Sequence, residues 1–159
     1  MKHILSIKVR NRPGVMSHVS GLFTRRGFNI DSIAVGVTED PSVSVITLVV
    51  KGDEKTAAQL QGQMLKLADV VDARLMAWNQ ALIREAVLVR VKCTSGNRSE
   101  LLGVTEIFHG RVQEITEDSL LIDVQGNPRQ ITGLMKILDK YGILEVARTG
   151  QIALPFAAD

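Results

Sequence analysis

The residues best suited to binding chemistry form two short segments near the start of the chain. One is the stretch Asn11-Arg12-Pro13-Gly14-Val15, and the other is Phe28-Asn29-Ile30. An alternating apolar run ends just before Asn11, and apolar residues with helical spacing begin at Val15. The first segment is therefore predicted to be a turn between a strand and a helix.

Such a turn is suited to binding a carboxylate. Pro13 presets a helix-compatible φ and lacks an N–H group, while Gly14 has no side chain to block a ligand. The N–H groups that follow have no acceptor within the helix, so an anion is their natural partner. Asn11 and Asn29 would add amide contacts without charge, which predicts a pocket for a small zwitterion. The same residue types are also used by any tight turn into a helix, so the segment alone favours a plain helix entry over a binding site.

Composition and charge narrow the class of protein. The chain has 159 residues, of which 45% are hydrophobic and 23% charged, enough for one large core or two small ones. The formal net charge is only +2, and no run of Lys and Arg is longer than Arg25-Arg26. Together with the low aromatic content, this argues against a nucleic-acid surface.

The single cysteine and the first residues suggest a cellular compartment. Cys93 is the only cysteine, so an internal disulfide is impossible, and its place in an alternating apolar run predicts a buried thiol. Met1-Lys2-His3 leads directly into a strand, and no apolar run approaches 18 residues. We expect a protein of the cytoplasm.

No catalytic residue or metal ligand is predicted. His3, His18 and His109 are not spaced with other ligands in a metal-binding pattern, and no nucleophile elbow or phosphate-binding glycine motif is present. Carboxylates such as Asp31 and the pair Glu39-Asp40 are far more often solvated than catalytic. The chain is not expected to be catalytic by itself.

The first half of the chain predicts one small α+β domain. A phase change in the apolar pattern between Ile30 and Ile33 indicates a bulge near Asp31-Ser32. The order β-α-β-β-α-β closes most simply as a four-stranded antiparallel sheet with both helices on one face. The predicted strands are 4–10, 28–38, 43–50 and 70–78, and the predicted helices are 14–26 and a second one opened by Gly52-Asp53.

The second half repeats this order after a connector at 79–84. The first of its helices is predicted to start with a capping box of Asn97 and Glu100, and the second to start at Asn127-Pro128. The fold class is thus α+β, with two ferredoxin-like domains at 1–78 and 79–159. Exposed sheet edges invite pairing with a second copy, so a homodimer with continuous sheets is expected. The predicted strands are 85–93, 111–116, 120–125 and 143–154.

Five segments of the sequence, in order, are characteristic: Asn11 to Val15, Gly21-Leu22-Phe23, Arg25 to Ile30, Thr105 to Gly110 and Val146 to Gly150. The N-terminal segments alone resemble an ACT domain, a class that binds small effectors, usually amino acids, at dimer interfaces. Together with the segments in the second half, they resemble the small regulatory subunit of acetolactate synthase (acetohydroxyacid synthase).

The resemblance implies a role in branched-chain amino acid biosynthesis. The chain would bind and activate a separate catalytic subunit, which uses thiamine diphosphate, a divalent metal (Mg) and often FAD to condense two 2-oxo acids. It would relay feedback inhibition by valine, and in some members by isoleucine or leucine, and it would hold no cofactor itself.

The resemblance also implies which residues bind the effector. They are Asn11, Gly14 and Asn29, with Pro13, Val15 and Ile30 adjoining. The ACT domain at 1–78 would bind the effector and form the homodimer. The region 79–159 would be the C-terminal domain of the small subunit.

Two other functions remain open. The chain could be a free-standing ACT-type amino-acid sensor that acts on another enzyme, which capture of a thiamine-dependent partner would exclude. It could instead be a small enzyme that uses Asp31 or His18 at a dimer cleft, which turnover by the purified chain would reveal.

Overall fold

The computed structural model describes residues 1–157, which divide into two compact units. Residues 1–82 and 151–157 form the first unit, and Ile83–Gly150 forms the second. The order β-α-β-β-α-β occurs twice along the chain, which confirms the predicted fold class of two ferredoxin-like halves. No helix among these residues is long and apolar enough to cross a bilayer.

The first unit is a four-stranded antiparallel sheet of order β2-β3-β1-β4. Two helices pack on one face of it, and the core between them includes Leu5 and Leu48 from the sheet, Val19 and Leu60 from the helices. The strands are β1 (Lys2–Arg10), β2 (Asn29–Val37), β3 (Val43–Lys51) and β4 (Val70–Ala77), and the helices are α1 (Val15–Arg26) and α2 (Glu54–Leu65).

The predicted bulge in β2 is confirmed. Ile30 pairs with Val50 and Ser32 pairs with Val49, so Asp31 is an extra residue in the ladder. Because a bulge re-aims the side chains around it, Asn29 and the rest of β2 do not follow one simple alternation.

The second unit has a sheet of order β6-β7-β5-β8. Its core includes Val89, Ile122, Leu101 and Leu134. The elements are β5 (Ala81–Lys92), α3 (Arg98–Ile107), β6 (Arg111–Ile115), β7 (Ser119–Gly126), α4 (Pro128–Asp139) and β8 (Ile143–Arg148).

The last predicted strand, 143–154, is wrong as a single element. It is divided into β8 and β9 (Ile152–Pro155), because Gly150 has φ +79° and interrupts the extended backbone. The predicted connector at 79–84 is also partly wrong. A short 3-10 turn, Trp78–Gln80, leads directly into β5, whose buried alternation already begins at Ala81.

The predicted capping box at Asn97 is wrong. Asn97 Oδ1 accepts a hydrogen bond from the N–H of Thr94 at 2.7 Å, so it stabilises the preceding turn and does not cap α3. The capping box occurs instead at α4, where Asn127 and Gln130 bond reciprocally at 2.8 and 2.9 Å.

The predicted domain boundary lies after residue 78, whereas the two compact units divide the chain at other positions. Residues 79–82 and 151–157 belong to the first unit. Within that unit, the N–H of Phe156 donates to the carbonyl of Gln80 at 3.0 Å. The assignment of separate functions to 1–78 and 79–159 stays a prediction.

Candidate effector-binding site

The turn before α1 leaves an open space at Gly14. Gly14 adopts φ +86°, so the helix begins one residue later than predicted, at Val15. A Cβ placed on Gly14 would meet no other heavy atom within 4 Å. Pro13 and Gly14 are exposed, whereas Val15 is 4% exposed and packs in the core. Val15 therefore anchors the turn and leaves the ligand-accessible surface to its neighbours.

The first backbone N–H groups of α1 are available to a ligand. The N–H of His18 makes the first helical hydrogen bond, to the carbonyl of Gly14 at 3.2 Å, and that of Val15 makes a long one to Arg12 at 3.5 Å. Within residues 1–157, the N–H groups of Met16 and Ser17 donate to no acceptor, and no side chain caps the helix. This is the arrangement that favours an anion at a helix start.

Asn11 is held beside this turn with its carboxamide oxygen free. Its backbone N–H donates to the carbonyl of Ser42 at 2.7 Å, and its Nδ2 donates to the carbonyl of Pro41 at 3.2 Å. Among the described residues, none donates to Asn11 Oδ1. An ammonium group is a suitable donor for that oxygen.

Asn29 begins β2 at the other end of the sheet. Asn29 is exposed, while Ile30 is half-buried against the core of the first unit. Asn29 lines a cavity of about 400 Å³ together with the cations Arg26 and Lys51 and the amide of Gln59.

One chain does not bring the predicted site residues together. Asn11 follows Arg10, which pairs with Val43 at the start of β3, whereas Asn29 pairs with Lys51 at the end of β3. Eight residue steps along a strand separate these positions, or about 26 Å. Asn11, Pro13 and Gly14 form one half of the predicted site, and Asn29 with Ile30 forms the other half.

The bulge beside Asn29 is fixed by an ion cluster. The carboxylate of Asp31 lies 3.1 Å from Lys2 Nζ and 3.3 Å from Lys51 Nζ. Partial burial raises the pKa of Asp31, but hydrogen bonds and charge from the two lysines outweigh it and hold the pKa below the ordinary 3.8. Asp31 is therefore an ionised partner of two lysines, which is a structural role.

The second bulge residue contacts a distant segment, which the sequence did not predict. Ser32 Oγ accepts a hydrogen bond from the N–H of Gln151 at 2.9 Å. Ser32 and Gln151 both belong to the first unit. Because 119 positions separate the two residues, no local pattern could have indicated the contact.

The other candidate groups do not converge. No cluster of three or more His, Cys, Asp or Glu in residues 1–157 could hold a metal ion. His18 is exposed on α1, and His3 is buried with its Nε2 3.2 Å from the carbonyl of Gly52.

Comparison with known proteins identifies both halves of the chain. Residues 5–72 match the family described as "AHAS small subunit-like ACT domain", and residues 84–156 match "Small subunit of acetolactate synthase". The acetolactate synthase small subunit of Mycolicibacterium smegmatis is 34% identical over 96% of this chain and 89% of its own length. A relative from Archaeoglobus fulgidus, named "Probable acetolactate synthase small subunit", is 38% identical over 97% of this chain and 96% of its own.

A solved structure shows the same fold over the full length. The crystal structure of the acetolactate synthase small subunit from Thermotoga maritima superposes with a TM-score of 0.93, at 34% identity, covering 100% of this chain and 99% of that one. With sequence matches across both halves, the chain belongs to the family of acetolactate synthase small subunits, with an ACT domain in its N-terminal half.

Proposed function

We propose that this chain activates a separate catalytic subunit of acetolactate synthase and makes that enzyme sensitive to inhibition by valine. The observation that carries the proposal is the turn at Gly14. Two free N–H groups, open space and the free carboxamide oxygen of Asn11 are complementary to the carboxylate and ammonium groups of an α-amino acid. A binding site of this kind is suited to regulation.

The effector is proposed to bind between two copies of the chain. β2 is an edge strand, and its Ile33, Val35 and Val37 are 41%, 53% and 61% exposed. An exposed apolar edge favours pairing with another strand. If two β2 strands pair about a two-fold axis near Ile33, Asn29 of one copy lies opposite Val37 of the other, at the end of the sheet that carries Asn11 and Gly14.

This arrangement also gives the effector side chain an apolar environment. The exposed Val35 and Val37 lie at the end of β2 that would meet Asn29 of the other copy, so an aliphatic side chain bound there would be removed from water. Burial of a valine-sized side chain stabilises a complex by roughly 1.5 to 3 kcal/mol. That preference supports valine, with isoleucine or leucine as related effectors.

The chemistry itself is assigned to the partner. The catalytic subunit would carry thiamine diphosphate, a divalent metal (Mg) and often FAD, and would condense two 2-oxo acids. This chain would contribute contacts that raise turnover, and it would relay effector binding to the partner.

Reconstitution tests the proposal. The chain is expected to co-purify with the matching catalytic subunit, to raise its acetolactate-forming rate and to make that rate valine-sensitive, while the chain alone forms no acetolactate. If the chain binds valine but leaves the catalytic subunit unbound and its rate unchanged, it acts as a free-standing sensor and the proposal fails. Acetolactate formation by the chain alone would also contradict it.

A further inference from the structure

The bulge in β2 is attached to the C-terminal segment by one hydrogen bond. Ser32 lies three residues after Asn29, immediately after the extra residue Asp31. Its hydroxyl oxygen accepts from the Gln151 N–H at 2.9 Å. The strand that carries half of the proposed effector site is therefore bonded directly to the segment Gln151–Pro155.

The two bulge residues are anchored in different ways. The Asp31 carboxylate is held by Lys2 and Lys51, which belong to β1 and β3 of the same sheet. The Ser32 hydroxyl is held by a segment outside that sheet. Because a bulge locally disrupts its ladder, these side-chain contacts help to set the positions of the residues that follow Asn29.

Gln151 contacts the bulge through its backbone and not through its side-chain amide. Its side chain is buried, with 7% of the residue exposed, yet its Oε1 accepts no hydrogen bond from the described residues. A buried acceptor without a donor disfavours the position that leaves it unpaired. The backbone bond to Ser32 thus holds the start of a segment whose far end is held by the Phe156 N–H bond to the Gln80 carbonyl, while the Gln151 side chain is incompletely satisfied.

The residues after Gln151 reach the surface. In β9, the apolar side chains Ile152 and Leu154 are 57% and 74% exposed, and Phe156 beyond its end is 61% exposed. Gln151 therefore lies immediately before a row of exposed apolar side chains.

We propose that Ser32 is a positioning residue, which transmits effector binding at Asn29 to the C-terminal segment through its hydrogen bond with the Gln151 N–H. The inference rests on the proposed function, because it assumes that an effector contacts Asn29. It adds a specific route: the effector moves the bulge, and the bulge changes the bond that holds Gln151. Removing the Ser32 hydroxyl should separate effector binding from effector response.

The main test compares Ser32→Ala with Ser32→Thr and Ser6→Ala in the full-length chain. Ser32→Thr keeps the hydroxyl. Ser6 is a half-buried serine of β1 in the same sheet, and its side chain makes no hydrogen bond within residues 1–157, so Ser6→Ala is the matched control. Valine binding is measured by calorimetry on the purified chain, and valine inhibition is measured with the catalytic subunit.

We expect Ser32→Ala to bind valine within about twofold of the unaltered chain, but to need at least about fivefold more valine for half-inhibition, because allosteric coupling typically changes affinity by 5- to 150-fold. Ser32→Thr and Ser6→Ala should respond like the unaltered chain. If Ser32→Ala is inhibited normally, the proposed route is wrong. If Ser32→Ala loses valine binding, Ser32 belongs to the binding site and the route is equally wrong.

A second measurement does not depend on any variant. Hydrogen exchange at the Gln151 amide is followed in the unaltered chain with and without saturating valine. The inference requires a change in the exchange rate of this amide on valine binding, and an unchanged rate would overturn it. If the unaltered chain binds no valine, isoleucine or leucine, the proposed function fails first, and that result is distinguishable from normal binding with unchanged exchange.

Discussion

Asn11 and Asn29 lie at opposite ends of the same four-stranded sheet, about 26 Å apart along the strand direction. A free amino acid is far too small to contact both residues in one chain. The two halves of the predicted site can therefore act on one ligand only if they come from different copies. This relationship makes the oligomeric form of the chain part of the binding hypothesis.

Mixed dimers test whether the site is shared. A dimer of one Gly14→Asp chain and one Asn29→Ala chain would contain one site with both changes and one site with neither. We expect the Gly14→Asp homodimer to lose measurable valine binding and the Asn29→Ala homodimer to bind valine more weakly, whereas the mixed dimer, isolated with two different affinity tags, has one site of normal affinity. Calorimetric titration counts the sites. A site contained within one chain predicts no recovery in the mixed dimer.

Gly14 offers a test of the anion hypothesis with a matched pair of substitutions. Gly14 has φ +86°, a conformation that strains other residues but is tolerated best by Asn and Asp. Gly14→Asn and Gly14→Asp should therefore lower the melting temperature by similar amounts. Only the aspartate places a negative charge at the helix start, where it competes with a ligand carboxylate for an interaction worth about 0.3 to 1 kcal/mol, or up to ~2 kcal/mol when partly buried.

We accordingly expect Gly14→Asp to abolish measurable valine binding and Gly14→Asn to weaken it less. Asn29→Ala should also weaken binding moderately, since a neutral hydrogen bond contributes about 0.5 to 1.5 kcal/mol. Calorimetry beside a thermal melt separates binding from folding. Equal valine affinities for the Asn and Asp variants would show that charge at this position has no role.

The elements that depend on local pattern were predictable from the sequence. The β2 bulge could be predicted because the apolar phase changes between Ile30 and Ile33, and the structure places Asp31 as the extra residue. The end of α1 was marked by Gly27, which adopts φ +65° behind Arg25 and Arg26.

Features that depend on competition between local contacts, or on distant contacts, were not predictable. Asn97 has the sequence of a cap, but its side chain bonds to the N–H of Thr94 because that donor is equally close along the chain. The Ser32 to Gln151 bond joins two ordinary polar residues from opposite ends of the chain. By contrast, the separation of Asn11 from Asn29 could be predicted from antiparallel topology. Asn11 follows the end of β1, which lies at the same end of the sheet as the end of β2, whereas Asn29 lies at the start of β2.

The Asp31 cluster predicts a specific pH dependence. The pKa of Asp31 is lowered in the folded chain, so its interaction with Lys2 and Lys51 stabilises the fold above the ordinary carboxyl pKa and is lost as the pH falls through the folded value. NMR titration of the Asp31 carboxyl carbon should give a pKa below 3.8.

Lysine variants provide the control for this titration. Lys2→Met and Lys51→Met should each raise the pKa of Asp31, because each removes one nearby positive charge. Lys8→Met should not, since Lys8 lies in β1 but makes no ion pair within residues 1–157. If the pKa of Asp31 is the same in both lysine variants as in the unaltered chain, the ion cluster is contradicted.

Truncation after Asn79 tests the autonomy of the N-terminal half. This fragment keeps β1 to β4, both helices and every member of the core cluster that they form, so we expect it to fold, to dimerise and to bind valine. It should activate the catalytic subunit poorly and respond weakly to valine. Its melting temperature should be below that of the full chain, because it loses Gln151, and a typical hydrogen bond contributes about 0.5 to 1.5 kcal/mol.

A second truncation, after Gly150, distinguishes the contribution of the C-terminal segment to the valine response from that of the second unit. It removes the segment that bonds Ser32 and Gln80 but keeps the second unit, Ile83–Gly150, whole. Weak valine response in both truncated chains would assign the response to the C-terminal segment, whereas a defect only in the 1–79 fragment would assign it to the second unit. Circular dichroism first measures whether the 1–79 fragment is folded. A fragment without secondary structure would show that the N-terminal half cannot fold alone.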